Sequence, residues 1–176
     1  MRSHNVLISY TGPDRPGLIS GVTALLFDEG GSLHDITFAA LGQGAELAFI
    51  YEMPSTGLTV EALKDKLTSI KGVQDGAIAV SPFNLKTERG PSNRVTHRFV
   101  LSGKDKRGFI RDMVETLDSC AAIIVRMNAE RFHGRKGDVY FARFAVALRQ
   151  EKSADCLALV AKLASNYEMS LRYETA

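Results

Sequence analysis

Apolar residues recur along this chain with two periods, and the period switches several times. Val6, Ile8 and Tyr10 repeat every second residue, the period of a strand with one buried face, and the pattern halts at Thr11-Gly12-Pro13. Leu18, Ile19, Val22, Leu25 and Leu26 then recur at helical spacing up to Gly30-Gly31. A mixed apolar run from Leu33 to Leu41 breaks at Gly42-Gln43-Gly44. After it, Leu47, Phe49, Tyr51 and Met53 alternate with Glu46, Ala48, Ile50 and Glu52, which predicts a hairpin. Val60, Leu63, Leu67 and Ile70 mark a second helix with Gly72 as its C-cap, and Ile78 and Val80 a short strand. The predicted order is βαββαβ.

The second half repeats it. Asp14-Arg15-Pro16-Gly17-Leu18-Ile19 returns 91 positions later as Asp105-Lys106-Arg107-Gly108-Phe109-Ile110, with Gly12 matching Gly103 and Leu26 matching Leu117. Strands are expected over 94–102, 122–132 and 139–148 and through Leu171 and Tyr173, helices over 107–120 and 153–165, and a hairpin turn near Gly134 to Gly137. Between the copies, Pro82 to Asn93 (PFNLKTERGPSN) loses all periodicity and reads as a linker. The fold class is therefore α+β: two tandem ferredoxin-like domains, 1–81 and 94–176, joined by a linker at 82–93. Each is an antiparallel four-stranded sheet with two helices on one face. The opposite sheet faces need cover, which makes Phe49 and Phe141 candidates for an interdomain or dimer interface.

Composition narrows the classes. With 45% hydrophobic and 24% charged residues the chain is globular, and no apolar stretch approaches the ~18 residues of a membrane span. Residues 1–5 lead into no signal-peptide core, so a cytoplasmic protein without membrane attachment is expected. Cys120 and Cys156 sit on predicted apolar helix faces and read as buried thiols. His4, His34, His97 and His133 lack metal-ligand spacing, and neither metal nor cofactor is expected. Charge is uneven: residues 1–90 carry 7 basic and 10 acidic side chains, residues 91–176 carry 15 and 10. The positive residues are interleaved with acids and read first as a solvated basic surface; the second half also suits an acidic partner or nucleic acid, although no aromatic-rich RNA-binding signature or basic helix accompanies it, so direct nucleic-acid binding is the minor alternative.

No nucleophile elbow, phosphate loop or dinucleotide fingerprint occurs, and His34 and Asp35, adjacent on a strand, should point to opposite faces, so no enzyme is expected. The stretch Gly12-Pro13-Asp14-Arg15-Pro16-Gly17-Leu18 carries the candidate chemistry. Gly12 permits a sharp exit from the strand, Asp14 can cap the helix and Pro16 fits its first turn. Gly17 leaves the helix N-terminus bare, where unpaired N–H groups favour a carboxylate.

These residues, with Gly30 to Ile36 after them, resemble the first loop and second strand of the ACT domain, a small regulatory module that binds amino acids. The resemblance covers two tandem copies, strongly in the first, and is closest to the glycine cleavage system transcriptional repressor group. The formyltetrahydrofolate deformylases carry a related segment, but their catalytic part has no counterpart in these 176 residues.

The resemblance implies a homodimer and a non-enzymatic protein that holds a small amino acid, glycine or serine in size, at an interface between ACT domains and modulates transcription through a regulator protein. On matching positions it implies ligand contacts from Gly12, Asp14, Arg15, Gly17, Leu18 and Ile19, with Ser32 and Leu33 supplied by a neighbouring domain. A possible second site comprises Gly103, Asp105, Gly108, Phe109 and Ile110, where Ile123 stands in place of Ser32 and Arg126 in place of Asp35. The remaining alternative is an ACT pair that only dimerises.

Overall fold

The computed structural model describes residues 4–55, 57–87, 94–134 and 137–175. The chain divides into two compact units, Met1–Thr87 and Glu88–Ala176. In the first, β1 (Asn5–Pro13), α1 (Leu18–Asp28), β2 (Ser32–Leu41), β3 (Gly44–Glu52), α2 (Val60–Thr68) and β4 (Ala77–Pro82) follow one another, and the sheet order is β2-β3-β1-β4. In the second, β5 (His97–Gly103), α3 (Phe109–Ser119), β6 (Ile123–Gly134), β7 (Gly137–Ala147), α4 (Ser153–Asn166) and β8 (Ser170–Thr175) give the order β6-β7-β5-β8. All pairings are antiparallel. Each unit is thus the expected ferredoxin-like βαββαβ domain. None of the helices described is long and apolar enough to cross a membrane.

Alternation decides what each strand buries. Val6, Ile8 and Tyr10 of β1 and Leu47, Phe49 and Tyr51 of β3 are almost wholly buried, and Leu18, Val22 and Leu26 of α1 and Leu63 and Leu67 of α2 close the core over them. In the second unit Phe99 and Leu101 meet Ala142, Phe144 and Val146 beneath Phe109, Met113 and Leu117 of α3 and Cys156, Val160 and Ala164 of α4. Phe49 is therefore a core residue and not an interface residue: it points toward the helices. Phe141 lies on the opposite sheet face. Both cysteines are buried free thiols.

The copies superpose in register. The strand that follows the first helix bulges at the same place in each, between Leu33 and Asp35 and between Ile124 and Arg126, again 91 positions apart. The bulge places an extra residue, His34, in β2, so strict alternation does not hold there. His34 Nε2 meets Glu52 Oε2 at 3.1 Å.

Several local expectations are corrected. Helix α1 has Gly17 at its N-cap, with φ of 88° and no side-chain cap, so neither Asp14 as cap nor Pro16 in the first turn holds. The chain enters the helix through a tight turn in which Leu18 N–H donates to the Arg15 carbonyl at 3.1 Å, and only a glycine reaches the left-handed conformation cheaply. Gly12 is an interior residue of β1 and does not turn the chain. A Cβ there would stand 2.6 Å from the Gly76 Cα and 2.4 Å from the Tyr10 hydroxyl, so its role is close approach. Helix α2 ends with Ser69 at its C-cap, and Gly72 belongs to the following turn. Pro82 closes β4, and residues 88–93 of the expected linker and 135–136 of the expected hairpin turn lie outside the described residues.

Candidate functional site

The loop after β1 is held from three sides. Asp14 N–H donates to the Gln43 carbonyl in the β2–β3 turn at 3.3 Å. The Tyr10 hydroxyl, buried under the loop, lies 3.1 Å from the Pro13 carbonyl and 3.2 Å from that of Gly72, so its proton serves both, and burial raises its pKa. Arg15 reaches Asp75 at 3.8 Å across the turn after α2, with both side chains largely in water, where such a pair contributes little.

On this frame Asp14, Arg15 and Gly17 are exposed and Ile19 is half-exposed, whereas Leu18 is 1% exposed and packed in the core. Leu18 therefore anchors the loop and is out of reach of a ligand. Among the described residues, the Asp14 carboxylate has no hydrogen-bonding or ionic partner, and the first-turn N–H groups of Ile19 and Ser20 have no protein acceptor. After Leu18, Gly21 N–H is the next to bond back, to the Gly17 carbonyl at 2.8 Å. A free acid beside free N–H groups is a complement to a zwitterion, with the ammonium on Asp14 and the carboxylate at the helix start.

Ser32 and Leu33 do not join this cluster within the domain. They open β2 and pair with Glu52 and Tyr51 at the far end of β3, while the loop lies at the Gly44 end. Ser32 borders a shallow depression of about 210 Å³ with Gly30, Gly31, Glu52, Met53 and Pro54.

Strand β2 itself forms an open edge. Ile36 and Phe38 pair with Phe49 and Leu47 and so project to the helix side of the sheet, yet they remain 47% and 41% exposed. They extend past the cover that the helices give. The sequence shows the apolar run from Leu33 to Leu41 but not that β2 is an edge, because strand order is set by the crossovers.

The second loop keeps the backbone and changes the electrostatics. Gly108 has φ of 90° at the α3 N-cap, and Phe109 N–H donates to the Lys106 carbonyl at 3.3 Å, as in the first copy. Gly103 again marks close approach, with its Cβ position 3.2 Å from the Glu168 carbonyl. Phe109, however, is a core residue, edge-on to Tyr140 and Tyr167. Asp105 is ion-paired with Arg131 of β6, and Lys106 holds Glu168 at 3.0 Å, which lowers the Glu168 pKa. Ile110 is partly buried against the core. The charges of Asp105 and Lys106 are thus satisfied internally. At the Ser32 position stands Ile123, 44% exposed and unable to hydrogen-bond through its side chain.

Comparison with known proteins agrees with this architecture. Residues 4–75 match the ACT domain family. No curated protein sequence matches the chain. Among solved structures, an unknown protein from Galdieria sulphuraria is similar at a TM-score of 0.76 with 13% identity, over 99% of each chain. A protein provisionally named a glycine cleavage system transcriptional repressor is similar at a TM-score of 0.70 with 11% identity, over 100% of this chain and 99% of the other. At such identities the likeness is one of fold: the ACT match lies in the first unit, and the whole chain shares its fold with both proteins.

Proposed function

We propose that the chain is a non-enzymatic regulatory protein in which a small amino acid, of glycine or serine size, binds between ACT domains of two copies and alters the action of a partner regulator protein on transcription. The observation that carries this reading is the placement of the Asp14 loop and Ser32 at opposite ends of a domain whose intervening edge strand is open and apolar. If two first domains pair their β2 edges antiparallel about a two-fold axis, Ile36 and Phe38, near the middle of the strand, meet at the axis. The same operation carries the Ser32 end of one strand to the Leu41 end of the other, beside the loop. Two equivalent pockets result, each with Asp14, Gly17 and Ile19 from one protomer and Ser32 and Leu33 from its partner.

In such a pocket Ser32 hydrogen-bonds the ligand, and the bare Gly17 admits its backbone atoms. Ligand occupancy then stabilises the pairing, because each site needs both protomers. The transcriptional role rests on the named repressor of the same full-length fold. Localisation in the cytoplasm belongs to this reading.

A thermal-shift comparison against the twenty amino acids tests it. A ligand at ~100 times its Kd stabilises by about 2.7 kcal/mol, a visible shift. A selective shift that Asp14→Ala and Ser32→Ala each abolish supports the site. No shift with any amino acid, or one that both variants retain, overturns it.

A further inference from the structure

We propose that the open sheet face of the second domain is a binding surface for single-stranded nucleic acid, with a row of arginines on the phosphates and Phe141 as a stacking platform. The face is defined by register. Arg126, Ala145, Arg98 and Glu174 stand side by side on β6, β7, β5 and β8, and the next row is Asn128, Arg143, Val100 and Arg172. One arginine thus rises from every strand, alternating between two adjacent rows, in a line across the sheet. At strand spacings of ~4.8 Å the line is ~14 Å long, enough to follow a short run of backbone phosphates.

The fold does not require these arginines. The same positions in the first sheet hold Asp35, Leu7, Ala48 and Ala79, and the two corresponding rows there carry no cation at all. Among the described residues Arg98, Arg126 and Arg172 are exposed and make no ion pair, while Arg143 pairs with Glu130. Glu174 stands opposite Arg98 and next but one to Arg172 on this face, so the four arginines face two carboxylates, Glu130 and Glu174, and the remaining excess of cations is the footprint of a polyanion.

An aromatic group beside the row points to bases as well as phosphates. Phe141, on the central strand β7 in the next row, lies under the Arg143 guanidinium at 5.7 Å, and Phe132 of β6 supports it edge-on at 5.4 Å. Phe132 is itself half-exposed. A cationic track with an adjacent aromatic surface is what sequence-tolerant single-strand binding uses.

The test uses the full chain, fluorescein-labelled (dT)20 and rU20, and anisotropy at 50 to 300 mM salt. The variant Arg98→Leu/Arg172→Ala copies the first sheet at both positions, and its thermal melt checks folding. Binding to either probe that weakens at least tenfold in the variant, with the log–log salt slope reduced by about 1.4, is expected. Phe141→Ala should weaken binding while keeping the slope. Absent binding by the wild-type chain, or binding unchanged in the folded double variant, overturns the proposal. So does a variant that changes only the mass in light scattering, which would assign the face to a protein contact. Amino-acid shifts depend on the first domain and should survive in the double variant, so the two readings fail separately.

Discussion

Tyr51 and Gly31 are locked together: the Gly31 N–H donates to the Tyr51 phenol oxygen at 3.0 Å, and the phenol donates onward to the Leu26 carbonyl at 3.0 Å. A Cβ on Gly31 would lie 2.3 Å from the ring, so the strand can approach only as glycine. The pair joins the end of α1 to the start of β2, and thereby sets where Ser32 stands. Tyr51→Phe leaves a carbonyl and an N–H without their partner and should cost about 1–3 kcal/mol in urea denaturation. Gly31→Ala, which must displace backbone, should cost more than Tyr51→Phe.

The two N-cap glycines isolate backbone strain. At Gly17 the nearest atom to an added Cβ is Ser20 Oγ at 4.0 Å, so the only penalty is φ of 88°. Gly17→Ala should lower stability by about 1 kcal/mol, and Gly17→Asn by less, because Asn tolerates the left-handed region. Gly108→Ala meets the Tyr167 hydroxyl only at an ordinary contact distance of 3.4 Å, so with φ of 90° it should cost about as much as Gly17→Ala in the same denaturation series.

Much of this was legible before the structure. The alternation of Leu47, Phe49, Tyr51 and Met53 and the 91-residue repeat specify the elements, their order and the core faces, because burial acts on every second or every third to fourth residue. Non-local geometry was not. Asp14 looks like a cap because its residue type suits one, yet a left-handed Gly17 moves the helix start beyond it. Gly12 looks like a turn because Pro13 follows it, yet its reason is Gly76, 64 residues away. Phe49 is legible as core, since it alternates in step with Leu47 and Tyr51 against Glu46 and Glu52, and an interface reading there sets its own alternation aside. The arginine row on the second sheet emerges only when four strands are laid in register.

Burial pushes the Cys156 thiol up to about 12 from the ordinary 9.0, with contact from Cys120 adding to the effect. The folded state therefore disfavours the thiolate. That contribution to stability is fully present below about pH 9 and is lost as pH rises from 9 toward 12, by up to ~1.4 kcal/mol per pH unit. Native protein at pH 8 should leave Cys156 unalkylated by iodoacetamide, and both thiols should react once urea unfolds the chain. Rapid labelling of Cys156 in the native state would contradict its placement.

Asp112 ties the start of α3 to the end of α4. Tyr167 donates to its carboxylate at 2.5 Å and Arg111 to its other oxygen, and these bonds hold its pKa below the usual carboxylate range, Tyr167 more than Arg111. A depressed folded pKa stabilises above the unfolded carboxylate value and is lost as pH falls through the folded one. Carboxyl-detected NMR should find Asp112 titrating below the exposed aspartates, and Tyr167→Phe should move it upward. A variant that titrates like wild type would show that the hydrogen bond is not formed in solution.

The β2 edge offers the sharpest test of how the proposed site is assembled. Ile36 and Phe38 are about half-exposed, so a lysine at Ile36 can keep its stem on the sheet and its ammonium in water. Ile36→Lys should leave the monomer folded at a cost of about 1 kcal/mol. In the paired arrangement the same substitution sets two ammonium groups against each other at the two-fold axis, where they repel and lose water. Light scattering should therefore report a change from dimer to monomer. Because each pocket takes Asp14 from one protomer and Ser32 from the other, the amino-acid thermal shift should vanish with the dimer, although neither residue has been touched. A monomeric Ile36→Lys protein that still shows the full shift would place the ligand within one domain and remove the two-fold from the site.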